Sequence, residues 1–304
     1  MSVDLRKKAI GAMIGSALGD AVGELAFRYR QRDALIQAVI RAPMLRYTDD
    51  TAMAIGLAES IGKKGDVDPE HIGETFHRNF LAEPWRGYAS GPPRIFDMVK
   101  RYGITYREAA KSLFRGQGSF GNGAAMRIVP VGIFFHGRPD ILEKARLSAE
   151  VTHAHPIGKD GAAVQALAIA KALELDPTGP FPLPGFIGLL INAAETSEIR
   201  NKMILVKELI TKGAKPSEAA REIGQSVAVH ESMPFAVYSF LRHPDSYENC
   251  LMCAVLNGGD RDTLGAMAGA ISGAYLGIDA IPPAWVSKLE NRAYIEQLAL
   301  KLLS

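Results

Sequence analysis

The segment Gly11-Ala12-Met13-Ile14-Gly15-Ser16-Ala17-Leu18-Gly19-Asp20-Ala21-Val22-Gly23 carries a glycine at every fourth position. A second segment repeats this spacing near the C-terminus, at Gly265, Gly269, Gly273 and Gly277. A glycine inside a helix costs up to about 1 kcal/mol relative to alanine, so each row needs a compensating gain in packing. Glycines along one helix face allow a second helix to approach closely. The two segments therefore predict two buried central helices that lie near or against each other.

Apolar residues elsewhere in the chain recur with helical spacing, and short connections containing glycine or proline separate the helical runs. Almost no stretch alternates apolar and polar residues as a strand would. We therefore predict an all-α fold. The predicted helices cover residues 5–22, 49–62, 68–80, 92–100, 106–113, 122–135, 140–150, 158–173, 186–194, 198–211, 216–226, 232–241, 245–256, 262–277 and 288–302.

The composition indicates a single domain over residues 1–304. Hydrophobic residues make up 47% of the chain and charged residues 22%, a balance typical of a protein with a sizeable core. The segment 176–185 contains four prolines, which remove backbone donors and fix φ, so we predict that it is not helical. We interpret it as a surface loop and not as a domain boundary, because the polar motifs on either side of it are expected to meet.

The charge is nearly balanced, with 35 basic and 33 acidic residues and a formal net charge of +2. No basic block is present to follow a phosphate backbone, so we expect no direct binding of nucleic acid. The N-terminus, Met1-Ser2-Val3-Asp4-Leu5-Arg6, is charged where a secretory signal would be apolar, and we see no uninterrupted apolar run of about eighteen residues. We expect a cytoplasmic, monomeric protein that does not associate with a membrane.

The two cysteines, Cys250 and Cys253, do not form a metal motif. A closed zinc site needs four ligands, and no second pair exists to supply the other two. We predict two core thiols on one face of a helix.

A first cluster of oxygen-bearing side chains occurs at Thr48-Asp49-Asp50-Thr51, directly before the apolar run 52–58. These residues are suited to an N-cap, because they satisfy free N–H groups and favour the positive end of the helix dipole. One capping residue is enough for that purpose. Two adjacent carboxylates between two hydroxyl groups exceed the need, and they supply the ligands that a hard divalent cation prefers.

A second cluster, Asp260-Arg261-Asp262-Thr263, opens the second glycine-rich helix. Carboxylates two residues apart diverge on a helix, whereas on a turn they can converge, and Gly258-Gly259 supplies the freedom for such a turn. Four carboxylates held together repel one another unless cations lie between them. Because His and Cys are missing from both clusters, the donors favour two Mg²⁺ ions, or Mn²⁺, over zinc.

A glycine-rich segment runs from Gly116 to Arg127 and leads into an apolar run. Backbone N–H groups in such a loop can hold an anion such as a pyrophosphate. The segment matches neither the dinucleotide-binding fingerprint nor the P-loop, because no strand precedes it and no Gly-Lys-Ser/Thr ends it. Further along, we interpret His153 of Thr152-His153 as a single polar histidine near a pocket.

Taken together, these motifs resemble the ADP-ribosylglycohydrolases, and they occur in that family's order between about residues 8 and 285. The motifs that carry the resemblance are Gly19-Asp20-Ala21-Val22-Gly23, Thr48-Asp49-Asp50-Thr51, Gly118-Ser119-Phe120-Gly121-Asn122-Gly123-Ala124-Ala125-Met126-Arg127, Thr152-His153, and Gly258-Gly259-Asp260-Arg261-Asp262-Thr263 leading into Ala268-Gly269-Ala270. Residues near 60–105 and 174–215 carry little of it.

The resemblance implies a compact orthogonal bundle of many helices and an enzyme that releases ADP-ribose from modified proteins. It implies that ADP-ribose and ADP-ribosylated proteins are the partners, and that the bond at the anomeric carbon of the distal ribose is hydrolysed. The implied ligands of two Mg²⁺ ions are Thr48, Asp49, Asp50, Asp260, Asp262 and Thr263. The implied diphosphate site is Gly118, Ser119, Phe120, Gly121, Asn122 and Gly123, and the implied contacts to the distal ribose and adenine are His153, Phe114 and Phe120.

One position departs from the family pattern. The family usually carries a glutamate about seven residues after the aspartate of Gly-Asp, and this chain has Phe27 there. Our hypothesis is that Glu24 takes that catalytic role through a reshaped loop at residues 24–33; the alternative is a solvated carboxylate. For Asp20 we expect a structural, hydrogen-bonded role, because a buried carboxylate needs partners.

Three functional alternatives remain open at the level of sequence. Within the family, residues 118–127, 231–234 and 238–242 are most similar to the branch that acts on serine-linked ADP-ribose and poly(ADP-ribose). Arginine-linked ADP-ribose and O-acetyl-ADP-ribose are the alternative substrates. The missing glutamate also leaves open a catalytically weak protein that binds ADP-ribose.

Overall fold

The computed structural model describes residues 4–304, and the prediction of an all-α fold is confirmed. Within that range the extended backbone pairings are two isolated bridges, Leu45 with Leu289 and Gly121 with Ala228. The first nine helices are α1 (Leu5–Arg28), α2 (Arg32–Arg41), α3 (Asp49–Lys64), α4 (Pro69–Ala82), α5 (Gly91–Tyr102), α6 (Tyr106–Gly116), α7 (Gly123–Met126), α8 (Val129–Phe134) and α9 (Ile141–Ala149). The others are α10 (Pro156–Glu174), α11 (Leu183–Ala193), α12 (Ser197–Thr211), α13 (Pro216–Ile223), α14 (Val229–Arg242), α15 (Tyr247–Leu256), α16 (Arg261–Leu276), α17 (Pro283–Val286) and α18 (Arg292–Lys301).

Helices α1 and α16 form the centre of the molecule, and they pack antiparallel with their glycine rows facing each other. A Cβ placed on Gly19 would lie 2.0 Å from the carbonyl oxygen of Gly265, and one on Gly15 would lie 2.5 Å from that of Gly269. No side chain larger than hydrogen fits at such distances. The prediction of two central helices in contact is therefore confirmed, and the lost helix propensity is offset by close backbone packing.

The same packing brings the two acidic segments together. At the C-terminal part of the glycine row in α1, a Cβ on Gly23 would lie 2.5 Å from the Cα of Asp262. Asp20 lies one turn earlier on α1 and is fully buried. The helix contact thus places the beginning of α16 beside the part of α1 that contacts the beginning of α3.

Several predicted boundaries were wrong. The glycine row of α16 ends at Gly273, because Gly277 caps the helix with a φ of 81°. The predicted helix 122–135 is two short helices, α7 and α8, and Pro130 lies in the first turn of α8. Helix α11 begins at Leu183, inside the segment predicted to be a loop, because Pro184 is tolerated in a first turn.

Residues 24–33 do not form the reshaped loop that we expected. Helix α1 continues through Glu24 to Arg28, and α2 begins at Arg32. Helix α2 was missed because its apolar pattern is short. It buries only Leu35 and Val39, and its N-cap, Gln31, makes no side-chain capping bond.

Helix α1 is long and apolar enough, by length and composition alone, to cross a membrane, with a mean hydropathy of 1.3 in its most apolar window. However, 78% of that window is buried within the fold. Its apolar residues therefore serve the protein core.

The two cysteines lie on α15 and are buried, as predicted. Burial raises the pKa of both thiols, that of Cys253 to about 11. Both groups are therefore protonated and unreactive at neutral pH.

We predict that Gly19→Ala lowers the free energy of unfolding by about 3 kcal/mol or more, because the new methyl group would overlap the backbone of α16. Gly188→Ala is the matched control. Gly188 lies inside α11 with no atom within 4 Å of an added Cβ, so this change should leave stability unchanged or raise it by up to about 1 kcal/mol. Urea unfolding measures both. Equal effects of the two substitutions would contradict the close packing of α1 and α16.

Candidate active site

Asp20 holds the beginning of α3 in place. Its carboxylate accepts hydrogen bonds from the backbone N–H of Thr48 at 3.0 Å and of Thr51 at 3.1 Å, and from both threonine hydroxyls at 2.9 and 2.6 Å. Burial raises the pKa of Asp20 to about 6, while the bonds from Thr51 and Thr48 act in the opposite direction. The expected structural role of Asp20 is thus confirmed. This residue fixes the backbone from which the first cluster projects.

The first cluster lies at the N-terminus of α3. Thr48 is the N-cap residue by position, yet its side chain makes no capping bond. Its hydroxyl donates to Asp20 and lies 3.2 Å from Oδ2 of Asp50, which is 2% exposed. Oδ1 of Asp50 is buried and has no hydrogen-bond partner. The N-cap interpretation therefore does not account for these side chains.

The second cluster begins α16, on the turn that we predicted. Gly258 and Gly259 have φ values of 103° and 67°, which favour glycine, and a Cβ on Gly259 would lie 2.0 Å from the carbonyl oxygen of Gln225. The backbone N–H of Asp260 donates to that same oxygen at 3.0 Å. The glycine pair thus lets the chain turn tightly against residue 225 before α16 begins.

The two clusters act on each other electrostatically, which shows that they meet in space. Burial, and then the charges of Asp20 and Asp262, raise the pKa of Asp50 well above its ordinary value. Burial and Asp20 raise the pKa of Asp49 to about 7, and burial and Asp260 raise that of Asp262 to about 8. No cationic side chain is among the main influences on these three groups. The site therefore concentrates acidic groups that oppose one another's ionisation.

The donor chemistry of the site fits a hard divalent cation. Apart from Arg261, which donates to the carbonyl of Val255, the side chains of the two clusters are carboxylates and hydroxyls, and the unpartnered Oδ1 of Asp50 is a free ligand atom. In residues 4–304, however, no three His, Cys, Asp or Glu side chains converge tightly enough to hold an ion as they stand. A bound ion would have to draw the carboxylates closer. The ligand set thus stays a prediction.

A cleft of about 450 Å³ opens over these clusters and joins them to the glycine-rich loop. Asp49, Asp50, Asp260, Asp262 and Thr263 line it, while Thr48 lies beneath and contacts Asp20. The loop residues that line the same cleft are Ser119, Phe120, Gly121, Asn122 and Gly123.

Asn122 connects the loop to the second cluster. Its side-chain amide donates to Oδ2 of Asp260 at 2.7 Å and to the hydroxyl of Ser232 at 3.2 Å, and its backbone N–H donates to the carbonyl of Val227 at 2.9 Å. A shift of the loop would therefore disturb Asp260. Gly118 lies behind this part of the loop, with a φ of 74° and a close approach to the backbone of His155.

His153 lines the cleft next to the glycine-rich loop, as expected for a histidine near a pocket. Its Nδ1 lies 2.7 Å from the hydroxyl of Thr152, and a Cβ on Gly123 would lie 2.8 Å from its ring. Burial, and then the charge of Arg127, lower the pKa of His153 to about 3. The imidazole is therefore neutral and can position a ligand, but it does not carry a charge at neutral pH.

Two exposed aromatic side chains lie at the cleft. Phe114 is 64% exposed and Phe120 is 45% exposed, and Phe120 packs edge-on against His155. Phe114 has a φ of 52° and Arg115 a φ of 61°, so the end of α6 is held in an unfavourable left-handed conformation. Both rings are free to pack against a planar group in the cleft.

One wall of the cleft was not predicted. Gly87, Ala89, Ser90, Gly91 and Pro92 line it, within the region where the sequence shows little of the resemblance. The closeness of Gly87 to the first cluster is evident from a Cβ placed on it, which would lie 3.9 Å from Oδ1 of Asp49. The only signal for this segment in the sequence was its turn-forming residues, because its side chains carry no reactive groups.

Arg127 ends the glycine-rich motif, and nothing in the sequence placed it in the site. It lines the cleft, is 1% exposed and donates to the carbonyl of Gly123 at 3.1 Å. Its guanidinium lies 4.8 Å from the ring centroid of Phe76. This arginine fixes the backbone at the start of α7.

Glu24 lies beside the second cluster but not in the cleft lining. It is exposed on α1, and its charge contributes to the raised pKa of Asp262. Phe27, at the position where the family carries glutamate, is 41% exposed three residues further along the same helix. If Glu24 is the catalytic residue, it therefore acts from a helix and not from a mobile loop.

Fold and site together define an all-α enzyme whose cleft combines an acidic, oxygen-rich floor with a glycine-rich loop. The chain belongs to the ADP-ribosylglycohydrolase family, whose model matches residues 1–304. It is accordingly a glycohydrolase, and the resemblance stated from the motifs is confirmed.

Similar proteins match over nearly the whole chain. ADP-ribosylhydrolase ARH3 of Homo sapiens is 31% identical over 335 residues, covering 96% of this chain and 92% of that protein. The ADP-ribosyl-dinitrogen reductase glycohydrolase of Rhodospirillum rubrum is 30% identical over 297 residues, covering 94% and 91%. A solved structure of an ADP-ribosylglycohydrolase-related protein complex has a TM-score of 0.72 at 24% identity, covering 99% and 98% of the two chains. That structure supports the fold.

We predict that the protein stripped of divalent cations loses stability as the pH rises from about 4 to about 8. The pKa values of Asp49 and Asp262 are raised to about 7 and about 8 in the folded state, from an ordinary value of 3.8. The unfolded chain therefore releases these protons at a lower pH than the folded protein does. The protonated carboxyl groups stabilise the folded state fully below about pH 4, and this stabilisation is lost as the pH approaches 8. We expect the melting temperature to fall by roughly 3 °C or more over this range.

Asp262→Asn should flatten this pH dependence and raise the melting temperature at pH 8, because it removes one of the repelling charges. Asp245→Asn, at an exposed carboxylate outside the cleft, is the control and should retain the dependence of the wild type. Thermal unfolding followed by circular dichroism in EDTA measures both. A pH dependence that is the same in Asp262→Asn as in the wild type would show that the carboxylates do not repel as described.

Proposed function

We propose that this enzyme hydrolyses the glycosidic bond between ADP-ribose and a protein acceptor, with serine-linked ADP-ribose preferred and poly(ADP-ribose) as a further substrate. The observation that carries the proposal is the hydrogen bond between Asn122 and Asp260, which joins the glycine-rich loop and the acidic floor in one cleft. A diphosphate and a ribose are adjacent groups of ADP-ribose. The ARH3 relatives are named ADP-ribosylhydrolases, which agrees with hydrolysis at ADP-ribose.

The glycine-rich loop would receive the diphosphate. Residues 118–123 carry no charged side chain, so an anion there meets no like charge within the loop. The two cleft phenylalanines, Phe114 and Phe120, offer ring faces for the adenine. Neutral His153 lies between loop and floor and can hydrogen-bond a ribose hydroxyl through the ring nitrogen that Thr152 leaves free.

Two Mg²⁺ ions, or Mn²⁺, would be held by Thr48, Asp49, Asp50, Asp260, Asp262 and Thr263. When bound, they would orient the sugar and a water molecule while positive charge develops at the anomeric carbon. Asp20 keeps Thr48 and the first turn of α3 in position for this purpose, and Asn122 orients Asp260. Positioning of this kind contributes a large share of the rate in such reactions.

The principal test is release of free ADP-ribose from a serine-ADP-ribosylated peptide, measured by mass spectrometry with and without Mg²⁺. An arginine-linked peptide, poly(ADP-ribose) and O-acetyl-ADP-ribose complete the substrate panel. We expect release that requires Mg²⁺, is fastest from the serine-linked peptide and falls by at least about 100-fold in Asp260→Ala, since that carboxylate is a proposed ligand. Asp245→Ala, at an exposed carboxylate outside the cleft, should keep wild-type activity.

A readout independent of turnover accompanies this assay. Mg²⁺ should raise the melting temperature of the wild type and of Asp245→Ala, but not that of Asp260→Ala, because only a bound ion stabilises the folded state. Tight binding of ADP-ribose with no release from any substrate would replace the hydrolase proposal with that of a binding protein. Faster release from the arginine-linked peptide would reverse the proposed preference.

For Glu24 we predict that Glu24→Gln lowers kcat for the serine-linked peptide by roughly 100-fold or more with little change in KM, as expected for loss of a group that transfers a proton. The residue is exposed, so folding should be unaffected. Glu248→Gln would disturb an exposed ion pair with Arg32 and is the control, expected to retain activity. Undiminished turnover of Glu24→Gln would show that Glu24 is a solvated carboxylate only.

A further inference from the structure

Trp85 is the most exposed large apolar side chain of residues 4–304, with 72% of its surface accessible. The chain has two tryptophans, and the other, Trp285, is 5% exposed. Indole rings supply large contact areas and are enriched where proteins bind partners. An exposed ring of this size is therefore a candidate contact for a binding partner.

The residue next to Trp85 is firmly held. Arg86 is 7% exposed, and its guanidinium donates to Glu290 at 2.7 Å, to Glu83 at 2.9 Å and to the carbonyl of Tyr47 at 3.2 Å. It also lies over the ring of Tyr47, 4.2 Å from the centroid. Paired charges of this kind fix a backbone more strongly than neutral hydrogen bonds do. Trp85 thus projects from an anchored loop and not from a disordered one.

The loop that carries Trp85 and Arg86 leads into the part of the cleft where the carboxylates lie. Gly87, two residues after Trp85, lines the cleft beside Asp49. Because consecutive Cα atoms are about 3.8 Å apart, the Cα of Trp85 lies within about 8 Å of that of Gly87. The proposed adenine contacts, by contrast, are Phe114 at the end of α6 and Phe120 in the glycine-rich loop. Trp85 is therefore near the place where the bond to the acceptor would be broken.

We propose that Trp85 binds the polypeptide that carries the ADP-ribose, packing against the residues that flank the modified serine. This inference rests on the proposed function and names the part of the substrate that the cleft itself does not enclose. A polypeptide fits better than a second unit of poly(ADP-ribose), because Arg86, the residue after Trp85, is a single cation paired with two carboxylates, Glu83 and Glu290. That excess of negative charge disfavours further phosphates.

The kinetic test compares a serine-ADP-ribosylated peptide with ADP-ribosyl-serine as a single amino acid. Trp85→Ala should raise KM for the peptide by roughly three- to tenfold without changing kcat, and should leave both constants unchanged for the amino acid. Trp85→Phe should recover most of the lost affinity. Tyr102→Ala is the matched control: Tyr102 is 68% exposed, but it ends α5 at the end remote from the cleft.

A spectroscopic test does not depend on turnover. Since Trp285 is buried, acrylamide quenches the fluorescence of Trp85 selectively, and Trp85→Phe provides the baseline. A peptide bearing ADP-ribose through a non-hydrolysable linkage should protect Trp85 from quenching, whereas ADP-ribose alone should not.

The outcomes separate the two proposals. Equal KM increases for peptide and amino acid, or equal protection by ADP-ribose alone, would overturn the peptide contact while leaving the hydrolase proposal intact. A KM increase for poly(ADP-ribose) that exceeds the increase for the peptide would assign Trp85 to the polymer and overturn the proposal. If no substrate releases ADP-ribose, the proposed function fails, and protection of Trp85 by the linked peptide still tests the contact.

Discussion

The structure depends on one steric constraint, the direct contact between the backbones of α1 and α16. Glycine carbonyls of one helix occupy the space where side chains of the other would be, as at Gly19 and Gly265. Because this contact fixes how far each helix slides along the other, it also fixes the distance between Asp20 on α1 and Asp262 on α16. The acidic floor of the cleft is in this sense a consequence of helix packing, and the surrounding helices only complete its walls.

The same arrangement places acidic groups where they lower the stability of the fold but can serve the reaction. The oxygens of Asp20 accept hydrogen bonds that stabilise the start of α3, whereas burial and mutual repulsion raise the pKa values of Asp50 and Asp262, and no salt bridge to either is present among residues 4–304. A protein selected for stability alone would not collect such charges in a buried place. A bound cation would offset this repulsion, so the proposed metal site predicts a protein that is more stable with its ions than without them.

The sequence predicted those elements that are marked by reactive side chains or by a regular spacing of residues. The glycine rows and the two Asp/Thr clusters belong to this group, and so does the prediction that a hydrogen-bonded Asp20 is structural. The elements that it missed are of two kinds. Helix α2 buries only two apolar residues, too few for a periodic signal, and the wall at 87–92 contributes backbone and small side chains whose place in the cleft arises only from the fold. The prediction of a loop at Glu24 was wrong, because no helix-breaking residue interrupts α1 there.

The pairing of α1 with α16 also has a consequence for synthesis of the protein. The two helices are separated by roughly 230 residues of chain. At a translation rate of about 5–20 residues per second, α1 leaves the ribosome roughly 12–46 s before α16 does. During that interval the glycine row of α1 has no partner helix to cover it, so the nascent chain has to be shielded by provisional packing or by a chaperone.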